Sequence, residues 1–297
     1  MHPEEGTWAV QPIRPQNFDQ QINYLCHNYE IISLEDLARY AGERKALHGR
    51  IAVITFDDGY RDNYLYAYPI LKKYKVTATI FLTSGHIGTG SLFWWDKIHY
   101  ALHNTPLRTI ELKEFGSYSL ASYTDRVKVS ADISSKLIKL PETEKIRLTE
   151  RLMALSLVTP PTHLAKELLL SWDEVKEMKE GSITFGAHTV NHPILTRLPL
   201  EHAKNEILQS KKDIEKHIGQ TVTAFAYPNG ALGDFDCEHV RFLKDNGFIC
   251  AVTTIPRLVT SSASPYEMGR VQPGPNLATF RFMLSGLYMD AKSLARR

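Results

Sequence analysis

The run Thr55-Phe56-Asp57-Asp58-Gly59-Tyr60 sets two adjacent carboxylates at the end of a short apolar stretch, 51–54, that reads as a buried strand. Neighbouring strand residues point to opposite faces. Both acids therefore reach one site only where the backbone turns, and Gly59 permits that turn. Two carboxylates held close need a cation or a donor network to stay ionised. Such a pair suits metal binding or proton transfer, although Asp-Gly is also ordinary turn chemistry. Downstream, Gly186-Ala187-His188-Thr189-Val190-Asn191-His192 carries histidines at i and i+4. On a helical turn that spacing places both imidazoles on one face, where they can share a metal. Alone the spacing is a weak signal, because surface histidines often fall this way. Combined with one carboxylate, the histidines make a three-ligand site with a position left for water, and the other carboxylate is then available as a base.

The elements that must position these groups are strands alternating with helices. Strand-like runs occur at 51–55, 77–83, 182–187, 223–227 and 248–254. A helix is expected over about 63–74, and an amphipathic one over 200–218, where Ala203, Ile207, Ile214 and Ile218 share a face and Gly219 stops it. Ser171-Trp172-Asp173-Glu174 reads as a capping box. Val240 and Leu243 suggest a short helix ended by Gly247, and Leu277, Phe280, Leu284 and Leu287 a last one. This alternation implies a parallel sheet or barrel, in which active sites gather at the C-terminal strand ends. Both the acidic pair and the histidines fall there. The stretch 92–170 breaks the rhythm and holds a helix over 141–155, so it reads as a largely helical insertion into a single domain, 1–297.

With 297 residues, 43% hydrophobic and 23% charged, the composition is that of a soluble globular protein. A net charge of +2 without a basic, aromatic-interleaved stripe argues against a nucleic-acid partner. No segment has the length of a membrane span. The N-terminus, Met1 to Thr7, has no signal-peptide pattern, and Cys26, Cys237 and Cys250 lack metal-ligand spacing. A cytoplasmic location is expected, or a periplasmic or extracellular one if an export signal precedes this stretch.

TFDDGY followed by HTVNH resembles the polysaccharide deacetylases of the NodB-homology type, carbohydrate esterase family 4. The resemblance runs from about Ile32 to Val271 and takes in Asp62-Asn63-Tyr64, Leu92-Phe93-Trp94-Trp95-Asp96, Leu170-Ser171-Trp172 and Phe225-Ala226-Tyr227-Pro228-Asn229-Gly230. It implies an irregular (β/α) barrel and removal of N-acetyl groups from an N-acetylated glycan. Asp57 would be the base, and Asp58, His188 and His192 the ligands of one divalent metal. Zinc leads on ligand type, and cobalt, nickel, manganese or iron suit the same donors. Tyr227, Pro228, Asn229 and Gly230 would form the substrate and oxyanion loop, with a backbone N–H at Asn229.

The sequence departs from the family in two places. Ala226 stands where the third motif usually carries an arginine that pairs with the base, and Asn229 replaces the usual aromatic. Arg270, in Gly269-Arg270-Val271, is the expected substitute from another loop. No histidine follows His239, so the late Leu-His motif that supplies a general acid is missing. Metal-bound water, Asp57, His86 and His239 are the alternative proton donors. Both departures resemble the branch of bacterial exopolysaccharide deacetylases. Trp94, Trp95 and Tyr227 offer either a sugar platform or core packing. Trp172 offers a wall of the acetyl pocket or a core residue. His27, His99, His103, His163, His202 and His217 read as ordinary histidines. Two other classes fit parts of the pattern: a degenerate, non-catalytic glycan-binding homologue, and a two-histidine-one-carboxylate iron oxygenase.

Overall fold

The computed structural model describes residues 13–43 and 48–286. Leu287 and the Met1–Thr7 segment lie outside the described residues. The chain forms two compact units, one of Ile13–Thr89 with the chain from Glu167 onward, the other of Gly90–Lys166. Among the described residues the strands are β1 (Glu30–Ile31), β2 (Ile51–Ala52), β3 (Thr55–Phe56), β4 (Ala78–Leu82), β5 (Thr109–Leu112), β6 (Gly116–Ser119), β7 (Ile183–Ala187), β8 (Ala224–Ala226) and β9 (Cys250–Val252).

In the larger unit, β3-β4-β7-β8-β9 form a parallel sheet in that order. Parallel strands buried on both faces read as unbroken apolar runs, and all five residues of β4 are buried. Because the strands are parallel, Asp57 after β3, His188 after β7 and Tyr227 after β8 all leave the same edge of the sheet. Beyond β9, Met268 bridges Val252, and two residues later the Arg270 guanidinium donates both to the Thr253 carbonyl and to Asp57. The ends of the two edge strands are thus drawn together, and the sheet curls as an irregular (β/α) barrel.

Two local expectations change. The run 51–55 is not one strand: Ile51–Ala52 pairs with β1, and Thr55–Phe56 with β4. The helix expected over 63–74 opens as a wide turn, Asn63–Ala67, and becomes α-helical only over Tyr68–Tyr74. Pro69 near its start lacks the N–H that a regular ladder would use there. The helix Leu200–Ile218 forms over the expected span and ends on left-handed Gly219 (φ 66°). The capping box opens Trp172–Glu180, with Glu174 N–H on Ser171 Oγ at 3.2 Å and Ser171 N–H on Glu174 Oε2 at 2.9 Å. The last helix is Leu277–Leu284.

The smaller unit packs helices Trp94–Asn104, Tyr123–Leu137 and Glu142–Leu155 with the antiparallel hairpin β5–β6 around Ile98, Leu102, Ile110, Leu112 and Ile133. The sequence pattern predicts neither the hairpin nor the first two of these helices. In β5 only Ile110 and Leu112 point inward, an alternation too short to stand out. Arg126 ties the end of the first helix to both flanks of the hairpin, donating to the carbonyls of Leu102, Thr105, Leu107 and Leu120 at 2.7–3.1 Å.

Candidate active site

The acidic pair sits in a turn that also carries chemistry. Gly59 N–H donates to the Asp57 carbonyl at 2.9 Å, and Asp58 itself is left-handed (φ 70°). Gly59 follows at φ +83°, and a Cβ there would lie 2.6 Å from Ile87 Cδ1. The turn lets consecutive side chains enter one region, which a straight strand forbids.

The histidines do not lie on a helical turn. Residues 188–194 are irregular, and Thr189 (φ 66°) and His192 (φ 59°) are both left-handed. Thr189 Oγ1 accepts the His192 N–H at 3.0 Å, closing the loop and bringing the two rings to 4.7 Å. Left-handed non-glycine residues are uncommon and persist where the surroundings over-determine them. Four of those found among the described residues belong to this site: Asp58, Thr189, His192 and Asn229.

His188 is buried, and its Nδ1–H donates to the Ala226 carbonyl at 2.7 Å. That bond fixes the neutral tautomer and leaves the Nε2 lone pair facing inward. Burial, with help from Arg270, pushes this imidazole below its usual range despite the pull of Asp57. The Nε2 atoms of His188 and His192 each lie 3.5 Å from Asp58 Oδ1, and the three donors fall within 4.8 Å of one another. Donors about 2.1 Å from a tetrahedral zinc would stand about 3.4 Å apart. A lone pair facing a carboxylate is repulsive without a cation between them, so these residues fit a divalent metal.

Asp57 faces a different partner. Arg270 grips it through two parallel bonds, Nη1 to Oδ1 and Nη2 to Oδ2, both 2.7 Å. The fork is itself anchored by Nε on the Thr253 carbonyl at 3.0 Å and Nη1 on Thr55 Oγ1 at 3.3 Å. Burial alone would raise the Asp57 carboxyl, but Arg270, with smaller contributions from His188 and His192, holds it down to about 2. Burial likewise works against the Arg270 charge, and Asp57 more than offsets it. Asp57 is therefore held as an anion at neutral pH.

In the loop after β8, Asn229 is left-handed (φ 62°), and its carbonyl accepts Thr254 Oγ1 at 2.6 Å. Among the described residues no acceptor takes up the Asn229 N–H. Gly230 N–H turns back to the Pro228 carbonyl at 2.7 Å.

Tyr227 requires a correction. Its ring is buried and stacked on Phe235 at 3.9 Å, and its hydroxyl donates to the Tyr266 carbonyl at 3.0 Å. An apolar ring with a satisfied hydroxyl is core, and it offers no face to a sugar. Trp172 lies flat on His217 at 3.9 Å. Trp95 belongs to the smaller unit and stacks on Phe93 at 4.4 Å. His239 caps a helix: its Nδ1 meets the Asp236 carboxylate at 2.7 Å at the start of Cys237–Asp245. His86 is buried. Sequence reasoning missed Glu206, which accepts the Val190 and Asn191 N–H groups at 2.8 Å each. A helix-face glutamate carries no signal that distinguishes it from a solvated one.

A parallel β/α barrel with an aspartate pair and two histidines at its C-terminal strand ends defines a hydrolase scaffold with a candidate metal site, not the jelly roll expected of an iron oxygenase. The polysaccharide deacetylase family profile matches residues 44–248. The chain belongs to that family, and with it to the enzymes that deacetylate carbohydrates. It is 23% identical over 277 residues to YxkH of Bacillus subtilis, assigned to the polysaccharide deacetylases, covering 93% of this chain and 70% of that one. It is 32% identical over 140 residues to the poly-beta-1,6-N-acetyl-D-glucosamine N-deacetylase of Staphylococcus aureus, covering 46% of this chain and 45% of the relative. Among solved structures, the Streptococcus pyogenes deacetylase PplD in complex with acetate superimposes with a TM-score of 0.62 at 21% identity, covering 95% of this chain and 91% of that one. IcaB from Ammonifex degensii gives 0.60 at 18%, covering 92% and 88%. No helix among the described residues is long and apolar enough to cross a membrane.

Proposed function

We propose that the protein is a metal-dependent N-deacetylase of an N-acetylated glycan. The observation that carries this reading is a three-donor cluster, Asp58, His188 and His192, beside a second carboxylate locked in its ionised form. A divalent metal held by those three residues supplies Lewis acidity and lowers the pKa of water. Asp57 accepts the proton of the attacking water, with Arg270 fixing the carboxylate plane so that a remaining lone pair faces the substrate. The Asn229 N–H donates to the oxygen that gains charge as the acetamide carbon becomes tetrahedral. Asp57, having accepted a proton, is the proposed donor to the departing amine; of the other candidates, His239 has its Nδ1 paired with Asp236. The products are acetate and a free amine on the sugar.

A glycan of N-acetylglucosamine type is the proposed substrate. The named activity of the staphylococcal relative supports that choice. Zinc is the proposed metal, on the basis of two imidazoles and one carboxylate. The test is acetate release from N-acetylglucosamine oligomers by zinc-loaded protein. Release that stops in Asp57→Asn while zinc stays bound supports the assignment. Zinc binding with no release from any N-acetylated glycan tested points instead to a non-catalytic binding protein.

A further inference from the structure

The loop that presents the histidines is held from behind by the helix Leu200–Ile218 and by the 84–85 segment. Glu206, on Leu200–Ile218, accepts the Val190 and Asn191 N–H groups at Oε2, both at 2.8 Å, and the Asn191 side-chain amide at Oε1, at 2.7 Å. Seven residues further on, about two helical turns, Asp213 accepts Ser84 Oγ at 3.1 Å and the Gln209 amide at 2.7 Å. The 84–85 segment in turn donates its N–H groups to the Thr189 and Val190 carbonyls at 3.1 and 2.9 Å. Gly85 allows this approach, because a Cβ would lie 2.6 Å from the Val190 carbonyl oxygen.

Val190 is therefore gripped on both sides, its N–H by Glu206 and its carbonyl by Gly85. The loop needs that grip. Thr189 and His192 are both in the left-handed region, a conformation that relaxes unless the surroundings impose it. Two successive N–H groups pointing the same way make a concavity that favours an anion, and Glu206 supplies one tethered to the fold. Relaxation of residues 189–192 would carry the His192 ring away from Asp58.

We propose that Glu206 is a positioning residue for the metal centre: its carboxylate holds the strained loop that sets His192 against His188 and Asp58. This rests on the reading of those three residues as metal ligands. Partners that orient ligands from outside the coordination shell typically change metal affinity about 10–100-fold.

The experiment measures zinc affinity by chelator competition, and metal-free melting temperature, for the wild type, H188A, E206A, E206Q and N191A. Acetate release is followed in parallel. The wild type binds zinc and H188A loses it. E206A binds about 10–100-fold more weakly, yet at saturating zinc its KM for the glycan stays at the wild-type value. E206Q recovers most of the affinity, since its amide can accept the loop N–H groups once the Asn191 amide turns over. N191A, which removes one of the three bonds, weakens zinc by about threefold. Unchanged zinc affinity in E206A, or in N191A where E206A does not fold, overturns the proposal. A wild-type protein that binds no zinc overturns the metal-site reading itself.

Discussion

The guanidinium of Arg270 forks onto both carboxylate oxygens of Asp57 at 2.7 Å, from a position 213 residues later in the chain. Its Nε is anchored to the carbonyl of Thr253 just past β9, while Asp57 lies just past β3. One side chain thus ties together the ends of the two edge strands and sets the charge state of the proposed base. Where the third family motif has Ala226 instead of arginine, a cation reaches the same kind of carboxylate from another segment.

Arg270→Ala should therefore change the pH dependence as well as the rate. With the guanidinium gone, only the weaker pull of His188 and His192 opposes burial, and the Asp57 carboxyl rises from about 2. The base must be ionised to accept a proton, so the acid limb of kcat/KM moves to higher pH. At neutral pH, loss of two charge-assisted bonds should lower kcat/KM by roughly 10–100-fold. Arg270→Lys keeps the charge without the fork and should fall between the two. An unshifted acid limb in Arg270→Ala would contradict the pairing's proposed role.

The same pair makes a stability prediction. The Asp57 carboxyl is depressed in the folded state. Its contribution is therefore full above the unfolded value of about 3.9 and is lost as pH falls toward 2. Wild-type protein should lose more melting temperature than Asp57→Asn between pH 4 and 2 (an approximate window set by these pKa values). Parallel melting curves over that window would argue that the ion pair is energetically silent.

In the smaller unit the sign is reversed in residue type but not in direction. Burial, with the neighbouring His103, pushes His99 down to about 4, and the two rings stack at 4.0 Å. A histidine kept neutral by folding stabilises fully above its unfolded value of about 6.5, and that contribution fades as pH falls toward 4. The hydrogen-exchange protection factors of residues 98–104 should fall through this window in the wild type and much less in His99→Gln.

Gly59→Ala adds a methyl at φ +83°, 2.6 Å from Ile87 Cδ1. Strain and overpacking together should cost at least about 2 kcal/mol of stability. Denaturant unfolding of the metal-free protein measures it, and a loss under about 0.5 kcal/mol would show that the turn tolerates ordinary side chains.

The carboxylates and histidines were legible because their chemistry is concentrated in two short runs at strand ends. The parallel sheet was legible because buried strands such as Ala78–Leu82 are continuous apolar runs. What stayed hidden depended on tertiary approach. The histidine loop reads as an i,i+4 pair, yet its geometry is set by left-handed Thr189 and His192 and by Glu206, a residue indistinguishable in sequence from a solvated one. Tyr227 reads equally as a sugar platform or as core packing, and only the approach of Phe235 and the Tyr266 carbonyl settles it in the core. The hairpin Thr109–Ser119 and the helix Tyr123–Leu137 lie in a polar stretch whose inward positions are too sparse to announce a period.

Asp58, His188 and His192 are proposed to hold a metal that Asp57 needs for deacetylation, and everything else about the mechanism depends on that. The most direct measurement strips the protein of metal, adds back one equivalent of zinc, and follows acetate release from an N-acetylglucosamine oligosaccharide by the wild type and His192→Ala. Release should be negligible without metal, return on adding zinc to the wild type, and stay absent in His192→Ala. Undiminished release by the metal-free wild type, or by His192→Ala, would contradict the metal's role.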